Sequence, residues 1–161
     1  MKNLLLASLL VLTLIQPSFS AGSSGDSSAT KTDYEKAVKY VKQAKKYEEK
    51  GKTDKAQKRY QKAQKLLIAS NAKIPNKADT LNYLGFTTRK LGDFETGEKY
   101  YLEGLAIEPN HIGINEYLGE LYVATGRINL AKERLNILKN CNCEEFEELK
   151  EIIEGKKKSK Y

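Results

Sequence analysis

Cys141 and Cys143, in the stretch NCNCEE, are the only thiols of this 161-residue chain and its first candidates for chemistry. Oxidised, such a pair closes a small disulfide ring, provided the backbone bends enough to bring the sulfurs together, as it does at a corner between helices. Reduced, it could exchange with other thiols. A cysteine at a helix N-terminus has a lowered pKa, which Glu144 and Glu145 here would oppose. Two thiolates could also hold Cu(I) or share zinc. No His or Met stands near them, however, since the single histidine is His111 and the single methionine is Met1. Disulfide, redox or metal-binding pair, and free or intermolecularly bonded thiols all stay open, and no residue is assigned as a metal ligand.

Other constellations are thinner still. His111 sits in the junction Pro109-Asn110-His111, where a histidine starting a helix is solvated or capping rather than catalytic. There is no glycine-rich phosphate loop and no recognisable serine–histidine–acid set. The glutamates between Glu144 and Glu154 fall into the pattern of a solvated helix face. The chain is therefore expected to be no enzyme and to need no cofactor.

The ends frame what must carry these residues. Residues 1–20 hold Lys2, an apolar run from Leu4 to Ile15, Pro17, and small residues at Ser18 and Ser20. That is the layout of a secretory signal, too short to span a bilayer, with cleavage expected after Ser20. No cysteine nearby offers a lipidation site. Residues 21–31 are small and polar, a flexible leader. The remainder, 32–155, suits one helical domain, followed by a basic tail, 156–161. Net charge is +7, unevenly spread: residues 31–65 hold thirteen Lys/Arg against five Asp/Glu, whereas residues 66–154 hold ten against fifteen. A basic N-terminal end could steer toward anionic surfaces. Export argues against nucleic acid, and membrane contact is expected to be peripheral at most.

An internal repeat organises the domain. At an offset of thirty-four residues Tyr83-Leu84-Gly85 recurs as Tyr117-Leu118-Gly119, and Gly92 recurs as Gly126. A period near that length marks a helical solenoid. Upstream, Tyr40, Ala44 and Tyr47, then Ala56, Tyr60, Ala63 and Leu67, recur at three- and four-residue steps, one apolar stripe on each of two helices. Gly51 to Gly92 is forty-one residues, seven more than the period, which prolongs the second helix toward Ala69 and leaves Asn71 to Asn76 as loop. Gly51, Gly92 and Gly126 mark helix stops. Asn76 and Asn110, after Pro75 and Pro109, are expected N-caps. Phe146, Leu149 and Ile153 fall on one side of a seventh helix, with six glutamates on the rest. That helix is the polar cap a solenoid requires. In this register Cys141 belongs to the last turn of the sixth helix and Cys143 to the first turn of the cap, with Asn142 and Glu145 at capping-box spacing.

The stretch from Thr80 to Asn110 resembles a tetratricopeptide repeat through Leu84, Gly85, Gly92, Asp93, Phe94, Tyr101, Leu105 and Pro109. Gly97 and Gly104 replace the family's usual alanines, each at a helix cost of about 1 kcal/mol. Asn115 to Leu138 and, more loosely, Tyr40 to Leu67 supply two further copies. The resemblance implies an all-α, right-handed α-solenoid of about three helical hairpins, near residues 37–74, 78–108 and 112–140, plus a C-terminal capping helix at 143–154.

It also implies a concave groove that binds a peptide or partner helix, lined by the first helix of each hairpin. Transferred position by position, the groove takes Val41, Lys45 and Glu48, then Asn82, Phe86, Arg89 and Lys90, then Glu116, Glu120 and Val123. Phe86 beside Arg89 is its best anchor. Charge along it runs from basic to acidic, which fits a partner of mixed charge. The expectation is a non-catalytic adaptor or assembly factor exported to the bacterial periplasm. The alternative is a thiol-dependent redox or copper-handling protein using Cys141 and Cys143. Oligomeric state is not written in these residues.

Overall fold

The computed structural model describes residues 31–159. The signal segment, the leader up to residue 30 and the last two residues of the tail lie outside them. Seven helices follow in order: α1 (Asp33–Glu48), α2 (Thr53–Lys73), α3 (Ala78–Lys90), α4 (Phe94–Ile107), α5 (Ile112–Ala124), α6 (Ile128–Leu138) and α7 (Glu144–Ile153). Among the described residues there is no strand. Helices α1 and α2, α3 and α4, and α5 and α6 pack as hairpins; α2 lies on α3, α4 on α5, and α7 covers α5 and α6. The fold class is thus all-α, a series of three hairpins closed by a cap.

Local chemistry explains where each helix starts and stops. Thr32 and Glu35 form a reciprocal capping box that starts α1 at Asp33, a Thr-x-x-Glu signal plain in the sequence. Gly51, Gly92 and Gly126, in the turns inside the three hairpins, have φ of 64°, 98° and 76°, the left-handed region that costs glycine little. The second helix departs from expectation. It runs to Lys73 because the stop is set by Pro75, which bars its predecessor Ile74 from helical geometry, rather than by Asn71. Pro109 ends α4 the same way, with Glu108 at φ −127° and ψ 88°. Neither Asn76 nor Asn110 caps a helix. Asn76 has φ 59°, and the caps are Lys77 for α3 and His111 for α5.

Asp93 caps α4 by accepting a hydrogen bond from the Thr96 amide at 3.0 Å, which holds its carboxyl below the ordinary Asp value. A carboxyl lowered on folding stabilises the protein above its unfolded pKa, and that contribution is lost as pH falls through the folded value. Asp93→Ala should therefore lower the melting temperature at neutral pH. In thermal melts the gap to the parent protein should close as pH drops below about 4.

Two apolar clusters make the core. One joins Ala37, Val41, Ala44, Ala56, Tyr60, Ala63 and Leu67 of the first hairpin to Leu81, Leu84 and Phe86 of α3. The other runs from Tyr101 through Ile114, Leu118 and Leu121 to Ala131. Tyr117 packs against both. Small residues set the helix separations. A Cβ on Gly85 would lie 2.5 Å from the buried Tyr101 ring, and one on Gly97 would lie 3.1 Å from the Gly85 carbonyl. One on Gly104 would run into the Ile114 side chain. Gly97 and Gly104 thus let α4 approach α3 and α5 closely.

Candidate functional site

The groove positions lie on α1, α3 and α5, and α3 is the middle layer, with ten of its thirteen residues buried. A helix so enclosed has no free face to offer a ligand. Val41 is 2% exposed, Asn82 7%, Phe86 2%, Arg89 1%, Glu116 4% and Glu120 0%. Lys45, Glu48, Lys90 and Val123 are half-buried. The structure brings most of these residues together, but it spends the deeper ones on one another.

What results is a seam of alternating charge and aromatic rings that ties the three hairpins. Lys90 Nζ meets Glu48 Oε1 at 2.6 Å, and the Tyr60 hydroxyl donates to Glu48 Oε2 at 2.8 Å. Burial and the facing Glu48 raise the Tyr60 pKa, so Tyr60 remains a donor. Lys45 Nζ donates to the Tyr117 hydroxyl at 3.0 Å and stands 4.7 Å from the Phe86 ring centroid. Phe86 in turn stacks on Tyr117 at 4.9 Å and meets the edge of Tyr60 at 5.8 Å. Arg89 donates to the Tyr117 carbonyl at 2.6 Å and meets the Glu120 carboxylate at 3.3 Å, with both side chains wholly out of solvent. Burial pulls the Arg89 guanidinium below its ordinary pKa, while Tyr101, Glu120, Tyr117 and Glu116 push the other way.

Phe86 therefore packs between hairpins instead of standing open as an anchor, because Tyr60 and Tyr117 close over its ring from either side. The basic-to-acidic gradient read along the groove is likewise consumed: Arg89 and Lys90 face Glu120 and Glu48 within the molecule. What remains reachable is the mouth of the seam, a shallow depression lined by Lys45, Glu48, Glu49 and Thr53. Sequence reasoning missed Tyr117 because it reads as part of the repeated Tyr-Leu-Gly motif. An aromatic one turn before Glu120, facing the Phe86 and Arg89 pair, was the available signal.

Away from the seam, Cys141 and Cys143 are bonded, with their Cα atoms 5.2 Å apart. Neither lies within a helix. Helix α6 ends at Leu138, Asn142 has φ 49°, and Cys143 is the N-cap of α7, so no capping box forms on Asn142. His111 accepts from the Ile114 amide at 3.2 Å and turns its other ring nitrogen to Asp79 at 3.2 Å. Its role is to cap α5. Among the described residues no group of three or more His, Cys, Asp or Glu is placed to hold a metal ion, and no helix is long and apolar enough to cross a membrane.

The chain matches no protein-family model and no curated protein. Among solved structures, the first TPR of Spaghetti (RPAP3) bound to the HSP90 peptide SRMEEVD is similar at 20% identity, over 77% of this chain and 95% of that one, with a TM-score of 0.48. The geometry itself establishes an all-α solenoid of three helical hairpins and a cap, laid out as the tetratricopeptide resemblance implies.

Proposed function

We propose that the protein is a non-catalytic interaction adaptor or assembly factor of the bacterial cell envelope, which binds a peptide or partner helix of mixed charge at the mouth of its inner face. The observation that carries this reading is the open depression lined by Lys45, Glu48, Glu49 and Thr53, where half-exposed Lys45 and exposed Glu49 stand one turn apart, backed by a packed seam. A preorganised base and acid on a rigid backing select a partner with the opposite order of charges at little entropic cost. The signal-like residues 1–20 and the disulfide support export to an oxidising compartment, the periplasm.

A photo-cross-linking side chain placed at Glu49, exposed on the rim of the depression, should capture one recurrent protein in the native cell. The same group at Leu102, 48% exposed on α4, should not. Capture at Leu102 but not at Glu49 would sink the groove reading, and capture at neither would sink the adaptor reading. The bonded cysteines keep the thiol-dependent alternative in view. A Cys141→Ser, Cys143→Ser variant that captures the same partner at Glu49 would leave the sulfurs only a structural part.

A further inference from the structure

Two exposed stripes carry opposite charge at the same helical spacing. On α2 they are Lys55, Lys58, Lys62 and Lys65, all exposed, at steps of three, four and three that set them on one face. On the cap, Glu144, Glu147, Glu151 and Glu154 are all exposed at the same steps. Glu154 extends α7 by one residue in helical geometry, φ −77° and ψ −4°. Each stripe is about 15 Å long. Since three, four, three reads the same in both directions, the stripes match whether the helices run parallel or antiparallel.

Among the described residues the two stripes do not meet. Helix α2 packs on α1 and α3, and α7 on α5 and α6, at opposite ends of the solenoid. Lys55 and Lys62 lean over the Tyr47 and Tyr40 rings at 6.0 and 5.9 Å. On the acidic side Glu147 has Lys150 at 3.8 Å and Glu154 has Lys156 at 2.6 Å, both exposed contacts that water and salt readily loosen.

We propose that copies of this chain associate head to tail, the lysine stripe of α2 in one copy seating on the glutamate stripe of α7 in the next. Such a contact joins different surfaces, so it extends into short chains rather than closing a twofold dimer. A second copy is the occupant because the acidic face with matching spacing is in this same sequence. A lipid surface presents anions without that spacing and would be met equally well by the exposed α1 lysines Lys36, Lys39, Lys42 and Lys46. Exposed ion pairs are individually weak, so the association is weak and strongly salt-dependent. It does not rest on the groove reading.

Sedimentation of the exported protein should show average mass rising with concentration at about 0.01 M salt and a monomer at about 1 M. A zero-length carbodiimide should then link α2 lysines to α7 glutamates in the unaltered dimer band, a test that needs no variant to fold. Lys55→Glu, Lys58→Glu, Lys62→Glu, Lys65→Glu should weaken self-association about ten- to thirtyfold, as should Glu144→Lys, Glu147→Lys, Glu151→Lys, Glu154→Lys. An equimolar mixture of the two variants should restore it. The control Lys36→Glu, Lys39→Glu, Lys42→Glu, Lys46→Glu changes net charge equally and should leave it intact. A monomer at low salt would overturn the proposal. So would cross-links mapping elsewhere, a mixture that does not recover, a control as damaging as the stripe, or vesicles of anionic lipid that bind the protein through α2 while it stays monomeric.

Discussion

Replacing Arg89 by methionine should destabilise the protein by about 3–5 kcal/mol, read as a lower midpoint in urea denaturation. Arg89 and Glu120 have fully buried side chains 3.3 Å apart, so solvent neither weakens the pair nor rescues the carboxylate left behind. Methionine fills much of the same volume, and the loss therefore reports an uncompensated buried charge more than a cavity. It also removes the 2.6 Å hydrogen bond to the Tyr117 carbonyl, one of the few polar ties between the second and third hairpins. Against a total stability of roughly 5–15 kcal/mol, such a loss could unfold the domain. Arg89→Met with Glu120→Leu, which removes both charges, should recover a large part of it, because a well-packed apolar pair can equal a buried ion pair. A single-variant cost below about 1 kcal/mol, the value of an exposed pair, would mean that the seam is open to water in solution.

Leu149→Ala should cost about 2–5 kcal/mol and loosen the cap before the rest of the solenoid. Leu149 is 0% exposed, and its side chain occupies the place where Gly119 of α5 has no Cβ: one built there would sit 2.5 Å from Leu149 Cδ2. Gly119→Ala alone should also destabilise, since overpacking costs about 1–3 kcal/mol, partly offset by about 1 kcal/mol of helix propensity. Combined, the two changes should be milder than their sum, because the new methyl enters the space the leucine leaves. Double-mutant denaturation measures that coupling. Strict additivity would show that α7 does not seat on Gly119.

The same contact shows why repeats are easy to find and interfaces are not. The thirty-four-residue spacing, the three turn glycines and the apolar stripes are properties of local backbone geometry and survive in a single strand of letters. The start of α1 was legible in Thr32 and Glu35, and the end of α2 in Pro75 rather than in its asparagines. The groove positions came from the family resemblance, and Lys45, Phe86, Arg89 and Glu120 do lie on the first helices of their hairpins, α1, α3 and α5. Their burial did not follow. Whether a position on α3 faces solvent depends on how closely its neighbours pack: Gly85, Gly97 and Gly104 let α4 approach α3 and α5, and the Tyr60 and Tyr117 rings meet Phe86.

By itself, then, the sequence determined the helices, their pairing into three hairpins and the need for a polar cap, because each depends on contacts between residues close along the chain. It also wrote the two charged stripes of α2 and α7, since helical spacing alone puts their residues on common faces. Only the tertiary structure decided that Phe86, Arg89 and Glu120 are interior, that Tyr117 joins the two halves of the core, and that the stripes lie too far apart to meet within one chain. Those outcomes rest on packing between residues dozens of positions apart. There the energy of burying a charge or a ring depends on what closes over it, and not on the residue's own identity.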